Sequence, residues 1–294
     1  MPANTLWKRQ REALPNTRIF KETNIRFGNA FLPPSFQKTI SSAMIDTITN
    51  AHGEILDFSF HEGAEGSRNL FLIGHGVTGN KNRPLILALA HALSEEGMPV
   101  LRFSFSGNGA SGGNFRDSTI SKEIGDLKAV LSAAETFGYR VFYAGHSMGG
   151  AVGVMTAAID SRIKFLVSLA GMVDTKGFYE REFGQEKTGS GCMWEDPSCP
   201  LSETFKEDMY QIGSTSSCAE SVRVPWLLVH GTADDVVPLE DSKMIFSLAN
   251  EPKHLVEIPD ADHLFSGNAL GMVVETILDW IGDCLQGPEP ETDS

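Results

Sequence analysis

The sequence lacks long apolar runs. No stretch reaches about eighteen consecutive apolar residues, the length that predicts a membrane-spanning helix. The N-terminus also lacks the apolar core of a secretory signal. From these two absences we expect a cytoplasmic protein that acts without a membrane partner.

Basic residues and cysteines are scarce. The 24 Lys and Arg are outnumbered by 38 Asp and Glu, and the formal net charge is −14. This balance argues against a nucleic-acid partner, because such a partner favours a basic surface. The four cysteines show neither CxxC pairing nor a nearby histidine pattern suited to zinc, so we expect free thiols and no metal site. A disulfide between Cys192 and Cys199 stays open for an oxidising environment.

Strand-like and helix-like segments alternate from residue 54 onward. Short apolar runs predict strands over residues 54–60, 69–74 and 224–231, and Pro84 and Gly97 bracket a predicted helix over residues 84–96. Parallel strands need helical crossovers, so the alternation predicts an α/β fold with a mostly parallel central sheet flanked by helices.

The domain organisation follows from the same pattern. Because an α/β domain of this size commonly stays a single unit, we predict one domain over residues 43–286. The periodicity breaks at about residues 172–222, and an interruption of that length is typical of a lid insertion. Residues 1–42 form a basic leader, either a peripheral arm or a targeting segment. Residues 287–294 are polar and acidic and are predicted to be a disordered tail.

One serine lies between two glycines in Y-A-G-H-S-M-G-G-A, residues 143–151. The strand predicted before it and the helix predicted after it place Ser147 at the carboxyl end of a strand, where ligands of parallel sheets bind. Gly145 and Gly149 suit a sharp strand-to-helix turn. The pattern is common by chance, and a serine nucleophile needs a base that a third group orients. Its meaning therefore depends on partners elsewhere in the chain.

Candidates for both partners follow later predicted strands. H-G-T-A-D-D-V-V-P places Asp234 just past one strand, and D-A-D-H-L-F places His263 past the next. The spacing from H-G favours Asp234 over Asp235, which we interpret as a solvated loop charge, and Asp262 is interpreted as shaping the histidine loop. Three further histidines, at strand ends or in the serine turn, are interpreted as structural: His75, His146 and His230.

Five sequence blocks, in the correct order, resemble an α/β-hydrolase of the serine esterase type over about residues 43–285. They are H-G-V-T-G-N-K-N-R-P (75–84), R-F-S-F-S-G-N-G-A-S-G-G (102–113), G-H-S-M-G-G (145–150), H-G-T-A-D-D-V-V-P (230–238) and D-H-L-F (262–265). The chain is similar to the cinnamoyl/feruloyl esterase-like and S33 aminopeptidase-like branches. It departs from many relatives at Ser104, where they carry aspartate, so the branch stays open.

The resemblance implies a catalytic triad of Ser147, His263 and Asp234. It also implies that the backbone N–H groups of Met148 and Val77 form the oxyanion hole. The expected activity is that of a serine carboxylesterase, which hydrolyses small acyl or aryl esters through an acyl-enzyme with no metal or cofactor. A peptidase or thioesterase of the same fold is an alternative, and so is a non-catalytic binding module.

The lid insertion is rich in aromatic and flexible apolar residues. Phe178, Trp194 and Phe205 are predicted to contact the substrate, and the alternative is that such residues only pack the lid onto the sheet. Residues 172–222 carry ten acids and four bases, which favours a neutral small-molecule ester over an anionic one. A homodimer is compatible with the sequence.

Overall fold

The computed structural model describes residues 45–286, so the predicted leader and tail lie outside the described residues. The strands in this range are β1 (Phe58–His61), β2 (Asn69–Gly74), β3 (Val100–Phe103), β4 (Arg140–His146), β5 (Ile163–Leu169), β6 (Trp226–Gly231) and β7 (Lys253–Ile258). The α-helices are α1 (Pro84–Glu95), α2 (Ile120–Thr136), α3 (Met148–Ala157), α4 (Thr175–Phe183), α5 (Glu203–Ile212), α6 (Leu239–Leu248) and α7 (Ala269–Gln286). Short 3₁₀ helices lie at Phe115–Asp117, Met193–Glu195 and Thr215–Ser221.

The strands form one seven-stranded sheet in the order β1-β3-β2-β4-β5-β6-β7. Only β1 is antiparallel to its neighbour in this sheet, and every other pair is parallel. The reversal of order around β2 makes two crossovers that leave β4 near the middle of the sheet. This architecture confirms the predicted α/β class with a mostly parallel sheet.

The central strands are apolar on both faces because helices cover both sides of a parallel sheet. All six residues of β6 are buried, and the pattern of β2 and β4 is nearly the same. On one face the rings of Phe142 and Phe165 stack at 4.1 Å, and Phe71 stacks on Phe142 at 5.9 Å. Each such buried ring contributes about 1.5–3 kcal/mol relative to an exposed one. The sheet is therefore a rigid base for the loops at its carboxyl edge.

The first strand is shorter than the pattern predicts. Residues 54–60 were expected to be extended, but β1 begins at Phe58. The preceding backbone pairs with a loop instead, since Ile55 O accepts from Gly112 N at 2.7 Å and Asp57 N donates to Ser111 Oγ at 2.8 Å. Contacts more than fifty residues apart in sequence end the strand, and no local pattern encodes them.

The lid insertion is more regular than its sequence suggests, because it contains α4 and α5. Asp174 caps α4 by accepting from Gly177 N at 2.8 Å, and Ser202 caps α5 by accepting from Phe205 N at 3.1 Å. The two ends of the insertion are joined, since Thr215 N donates to Val173 O at 2.9 Å. The insertion therefore leaves the sheet and returns to it at one place, between β5 and β6.

Within residues 45–286, no helix combines the length and the apolarity that crossing a membrane would require.

Candidate active site

Ser147 occupies the turn between β4 and α3 with a strained backbone. Its φ of 54° and ψ of −117° lie in a region that residues with a side chain rarely adopt. The surrounding chain holds the turn, because Ser147 N donates to Leu169 O at 2.9 Å and Ser147 O accepts from Met172 N at 3.1 Å. Hydrogen bonds from the end of β5 and from the start of the lid insertion thus hold Ser147 at the carboxyl end of β4.

The two flanking glycines are required by close backbone approach. A Cβ at Gly145 would collide with the carbonyl oxygen of Gly149, and a Cβ at Gly149 would lie 2.5 Å from the carbonyl oxygen of His75. Neither backbone atom can move like the end of a flexible side chain. The turn therefore needs glycine at both positions, for the reason that the sequence motif indicates.

His263 lies in the loop after β7 and is held from two directions. Its ring Nδ1 is 2.8 Å from Asp234 Oδ2, and its backbone carbonyl accepts from His146 Nε2 at 2.8 Å. Since a carboxylate can only accept, Nδ1 of His263 carries the proton of this contact. His146 precedes Ser147 in the chain, and its ring is 4.8 Å from that of His263. The structure thus brings the predicted base beside the serine turn and onto the predicted acid.

Asp234 lies in the loop after β6, with its carboxylate fully buried. Its Oδ1 accepts from Val236 N and Val237 N, both at 2.9 Å. Its Oδ2 faces His263 Nδ1 at 2.8 Å and His230 Nε2 at 3.1 Å. Burial raises the pKa of Asp234, but hydrogen bonds from His230 and His263 outweigh it and the net pKa is well below the ordinary value. The carboxylate is therefore charged at neutral pH.

Two other buried histidines near the site stay neutral. Burial lowers the pKa of His75 to about 4 and that of His146 to about 3, and the charge of His263 adds to the effect at His146. His75 Nδ1 donates to Gly76 O at 2.9 Å, and its Nε2 accepts from Phe105 N at 3.0 Å. These contacts match the structural role predicted for His75, since they tie the loop after β2 to the loop after β3.

The predicted oxyanion donors border the serine. Met148 is the first residue of α3, so its N–H has no carbonyl one turn earlier in the helix to bond. Val77 follows Gly76, and a Cβ on Gly76 would be 2.8 Å from the Cβ of Ser147. The loop after β2 therefore lies directly against Ser147.

The predicted substrate contacts divide in the structure. Phe178 and Phe205 are only 1% and 2% exposed and pack among other aromatic rings of the lid, as the packing alternative expects, and their contact with substrate stays a prediction. Trp194 is partly exposed, stands edge-on to Phe183 at 4.9 Å, and donates from Nε1 to Glu182 Oε2 at 2.8 Å. Of the three predicted residues, Trp194 alone keeps surface for a ligand.

Sequence reasoning missed two groups close to the site. Glu182, at the end of α4, lies close enough to interact with the charge of His263, and burial raises its pKa. Ser242, in the first turns of α6, bonds His230 Nδ1 at 2.7 Å. Neither residue belongs to a motif. The acid-rich composition of the lid predicts an acidic lid surface but does not single out Glu182.

Metal ligands do not cluster in the part of the chain that the structure describes. Residues 45–286 contain no group of three or more His, Cys, Asp and Glu side chains placed to hold a metal ion. The cysteines are free thiols: Cys192, Cys199, Cys218 and Cys284.

The fold and the site define an α/β-hydrolase with the arrangement of a serine hydrolase. Residues 88–288 match the model of the prolyl oligopeptidase family (Peptidase_S9), and the chain belongs to that family. Among curated relatives, the uncharacterized protein YfhR of Salmonella typhi is 25% identical over 249 residues, which cover 81% of this chain and 79% of YfhR. YfhR of Escherichia coli K12 is 28% identical over 214 residues, 70% of this chain and 68% of YfhR.

Solved structures agree with this assignment. Est1E from Butyrivibrio proteoclasticus with bound ferulic acid superposes with a TM-score of 0.72 at 25% identity, covering 82% of this chain and 99% of Est1E. The esterase domain of a Rhodothermus marinus protein gives a TM-score of 0.63 at 23% identity, covering 80% of this chain and 95% of that domain. The resemblance to α/β-hydrolase serine esterases that the sequence indicates is confirmed, and the family and neighbours support a serine hydrolase.

Proposed function

We propose that the protein is a serine carboxylesterase that hydrolyses small acyl or aryl esters through an acyl-enzyme. The observation that carries the proposal is the 2.8 Å contact between His263 Nδ1 and Asp234 Oδ2, beside a serine whose φ is 54°. A serine hydroxyl is a poor nucleophile at neutral pH and needs such an oriented base.

In the proposed reaction, Ser147 Oγ attacks the ester carbonyl carbon while His263 Nε2 takes the hydroxyl proton. The tetrahedral intermediate collapses by breaking the bond to the alcohol oxygen, which receives that proton from His263. A water molecule then attacks the acyl-enzyme, with His263 as base again, and the acid leaves. Asp234 stays ionised and stabilises the imidazolium, since two backbone N–H groups and two histidines hold its charge.

Two backbone N–H groups, of Met148 and Val77, are proposed to bind the oxyanion. The N-terminus of α3 adds its positive dipole end at the same place. Losing one such donor typically costs about 3–4 kcal/mol of transition-state stabilisation. Because both donors belong to the backbone, the site keeps them whatever side chains occupy positions 77 and 148.

The ester class follows from the lid and from one neighbour. Trp194 offers a partly exposed indole beside a lid of packed aromatic rings, which suits an aryl group. The structure of Est1E holds ferulic acid, an aryl acid, in a protein that is 25% identical to this chain. The ten acids of residues 172–222 disfavour strongly anionic substrates. A neutral aryl or small acyl ester is therefore the proposed substrate.

A peptidase is the second candidate, because the family model that matches residues 88–288 is that of the prolyl oligopeptidase family. The same triad would then attack an amide carbonyl and protonate an amine leaving group. Parallel assays with p-nitrophenyl esters, aminoacyl-arylamides and acyl-CoA separate the candidates. Fast arylamide turnover with negligible ester turnover would reverse the ranking.

Labelling with a fluorophosphonate probe tests the proposed nucleophile. We expect the wild-type protein to be modified at Ser147, because the probe reacts with an activated serine at the position of the ester carbonyl. Ser147→Ala should lose both labelling and nearly all turnover while keeping the wild-type melting temperature. Mass spectrometry of the labelled peptide identifies the site. A folded wild-type protein that stays unlabelled would support a non-catalytic module instead.

A further inference from the structure

Asp234 Oδ2 faces two histidines, and the proposed mechanism uses only one of them. His230 Nε2 lies 3.1 Å from this oxygen, and both side chains are fully buried. The second ring comes from β6, four residues before Asp234, and so approaches from the sheet. His263 approaches the same oxygen from the loop after β7, at 2.8 Å.

The protonation of His230 can be read from its partners. Its Nε2 also lies 2.9 Å from Val237 O, so this nitrogen faces two groups that can only accept and must carry a proton. Its Nδ1 lies 2.7 Å from the hydroxyl oxygen of Ser242. That hydroxyl can donate, so a neutral His230 with its proton on Nε2 satisfies every contact. Ser242 is 1% exposed, so water has little access to this bond.

We propose that His230, capped by Ser242, is a positioning residue for the triad acid. The inference rests on the proposed function. The Nε2–H of His230, which donates to Val237 O at 2.9 Å, also lies 3.1 Å from Asp234 Oδ2, where it stabilises the negative charge of the carboxylate and keeps that oxygen in the direction of His263. Together with the two backbone donors on Oδ1 and with His263, it makes four N–H groups around one buried carboxylate.

The arrangement differs from simple packing. A residue that only filled space would not need its protons ordered, whereas here three polar partners fix which nitrogen carries the hydrogen. Without His230, Oδ2 would keep one donor and a buried charge would lose part of its stabilisation. Besides Asp234, His146 and Glu182 are titratable groups that interact electrostatically with His263. Within residues 45–286, the hydrogen bonds and ion pairs of His230 go to Ser242, Val237 and Asp234, so we expect changes at His230 to reach His263 through Asp234.

A matched pair of amides tests the inference. In His230→Gln the side-chain nitrogen can reach the position of Nε2, whereas in His230→Asn it reaches only the position of Nδ1. Without the donor, the pKa of Asp234 rises, and the more basic carboxylate stabilises protonated His263 more strongly. The acid limb of the labelling rate against pH, which reflects protonation of the base His263, therefore moves to higher pH. We expect His230→Asn to move that limb by about one pH unit and to slow labelling about tenfold or more. His230→Gln should remain close to the wild type.

Ser242 gives a second, milder pair. Ser242→Ala removes the hydroxyl and should shift the acid limb in the same direction, while Ser242→Thr keeps the hydroxyl and should restore the wild-type profile. If both members of each pair share the wild-type acid limb, the role of His230 is only structural and the inference is wrong.

NMR of ¹⁵N-histidine in the folded wild-type protein supplies a readout that needs no activity. We expect the His230 signals to show a proton on Nε2 and none on Nδ1 at neutral pH. A neutral ring with its proton on Nδ1 and none on Nε2 would overturn the inference. Failure of the proposed function would look different, since Ser147 would stay unlabelled while the His230 signals showed the expected tautomer.

Discussion

At the scale of single residues, two adjacent aspartates provide a sharp test of the proposed acid. Asp234 has a buried carboxylate surrounded by four N–H groups, and Asp235 is exposed. Asp234→Asn should reduce kcat about 10⁴-fold, because an amide favours the wrong tautomer of His263. Asp235→Asn should leave kcat nearly unchanged. Ester turnover of both variants checks this, and equal losses would point away from Asp234.

The sequence predicts the residues whose neighbours in the chain carry a turn signal. Ser147 lies between two glycines, and Asp234 and His263 each follow a strand, so strand order predicts that all three lie at the same edge of the sheet. Ser242 and Glu182 could not be expected, since their relation to the site depends on how α6 and α4 pack. The sequence also does not show that the ring of His230 faces Asp234, because that contact depends on how the loop after β6 folds back.

At the scale of elements, replacing a helical glycine by alanine is expected to have opposite effects on stability in two different helices. Gly149 lies at the start of α3, where a Cβ would be 2.5 Å from a backbone oxygen, whereas a Cβ on Gly125 in α2 would meet nothing within 4 Å. Gly149→Ala should lower the free energy of unfolding by about 1–3 kcal/mol through overpacking. Gly125→Ala should raise it by about 0.5–1 kcal/mol, since alanine favours a helix. Urea unfolding of both variants measures the contrast, and a stable Gly149→Ala would contradict the crowded turn.

One helix connects the lid to the proposed acid. Asp241 and Ser242 are neighbours on α6: Asp241 Oδ2 accepts from Val173 N at 3.3 Å and Asp174 N at 3.1 Å, while Ser242 bonds His230. The same turn of α6 therefore contacts both the start of the lid insertion and His230, the histidine beside Asp234. The lid helices themselves escaped the sequence prediction because each has only about three turns and is stabilised mainly by packing between aromatic rings.

At the scale of the whole molecule, a buried acid far from the triad links stability to pH. Glu123 on α2 is 0% exposed, and within residues 45–286 its Oε2 has no hydrogen-bond partner. Burial and the nearby charge of Asp126 raise the pKa of Glu123 well above the ordinary value of 4.5. The folded state thus keeps a proton that the unfolded state releases. Above pH 4.5, the free energy of unfolding should fall as pH rises towards the folded-state pKa.

Glu123→Gln removes this titration while keeping a similar shape. We expect its free energy of unfolding to decline less than that of the wild type as the pH rises above 4.5 towards the folded-state pKa of Glu123. Glu135→Gln on the same helix is the matched control, because the side chain of Glu135 is 66% exposed. Urea unfolding at a series of pH values measures both slopes. Identical slopes for Glu123→Gln and the wild type would mean that Glu123 is not protonated in the folded state.

The joined ends of the lid insertion have a consequence for how such a molecule diversifies. The insertion begins and ends at one place, where Val173 and Thr215 are joined by a backbone hydrogen bond. It can therefore be exchanged for a longer or shorter segment without a change in the order of the strands below it. New substrate ranges could then arise by grafting, with the reactive centre inherited unaltered.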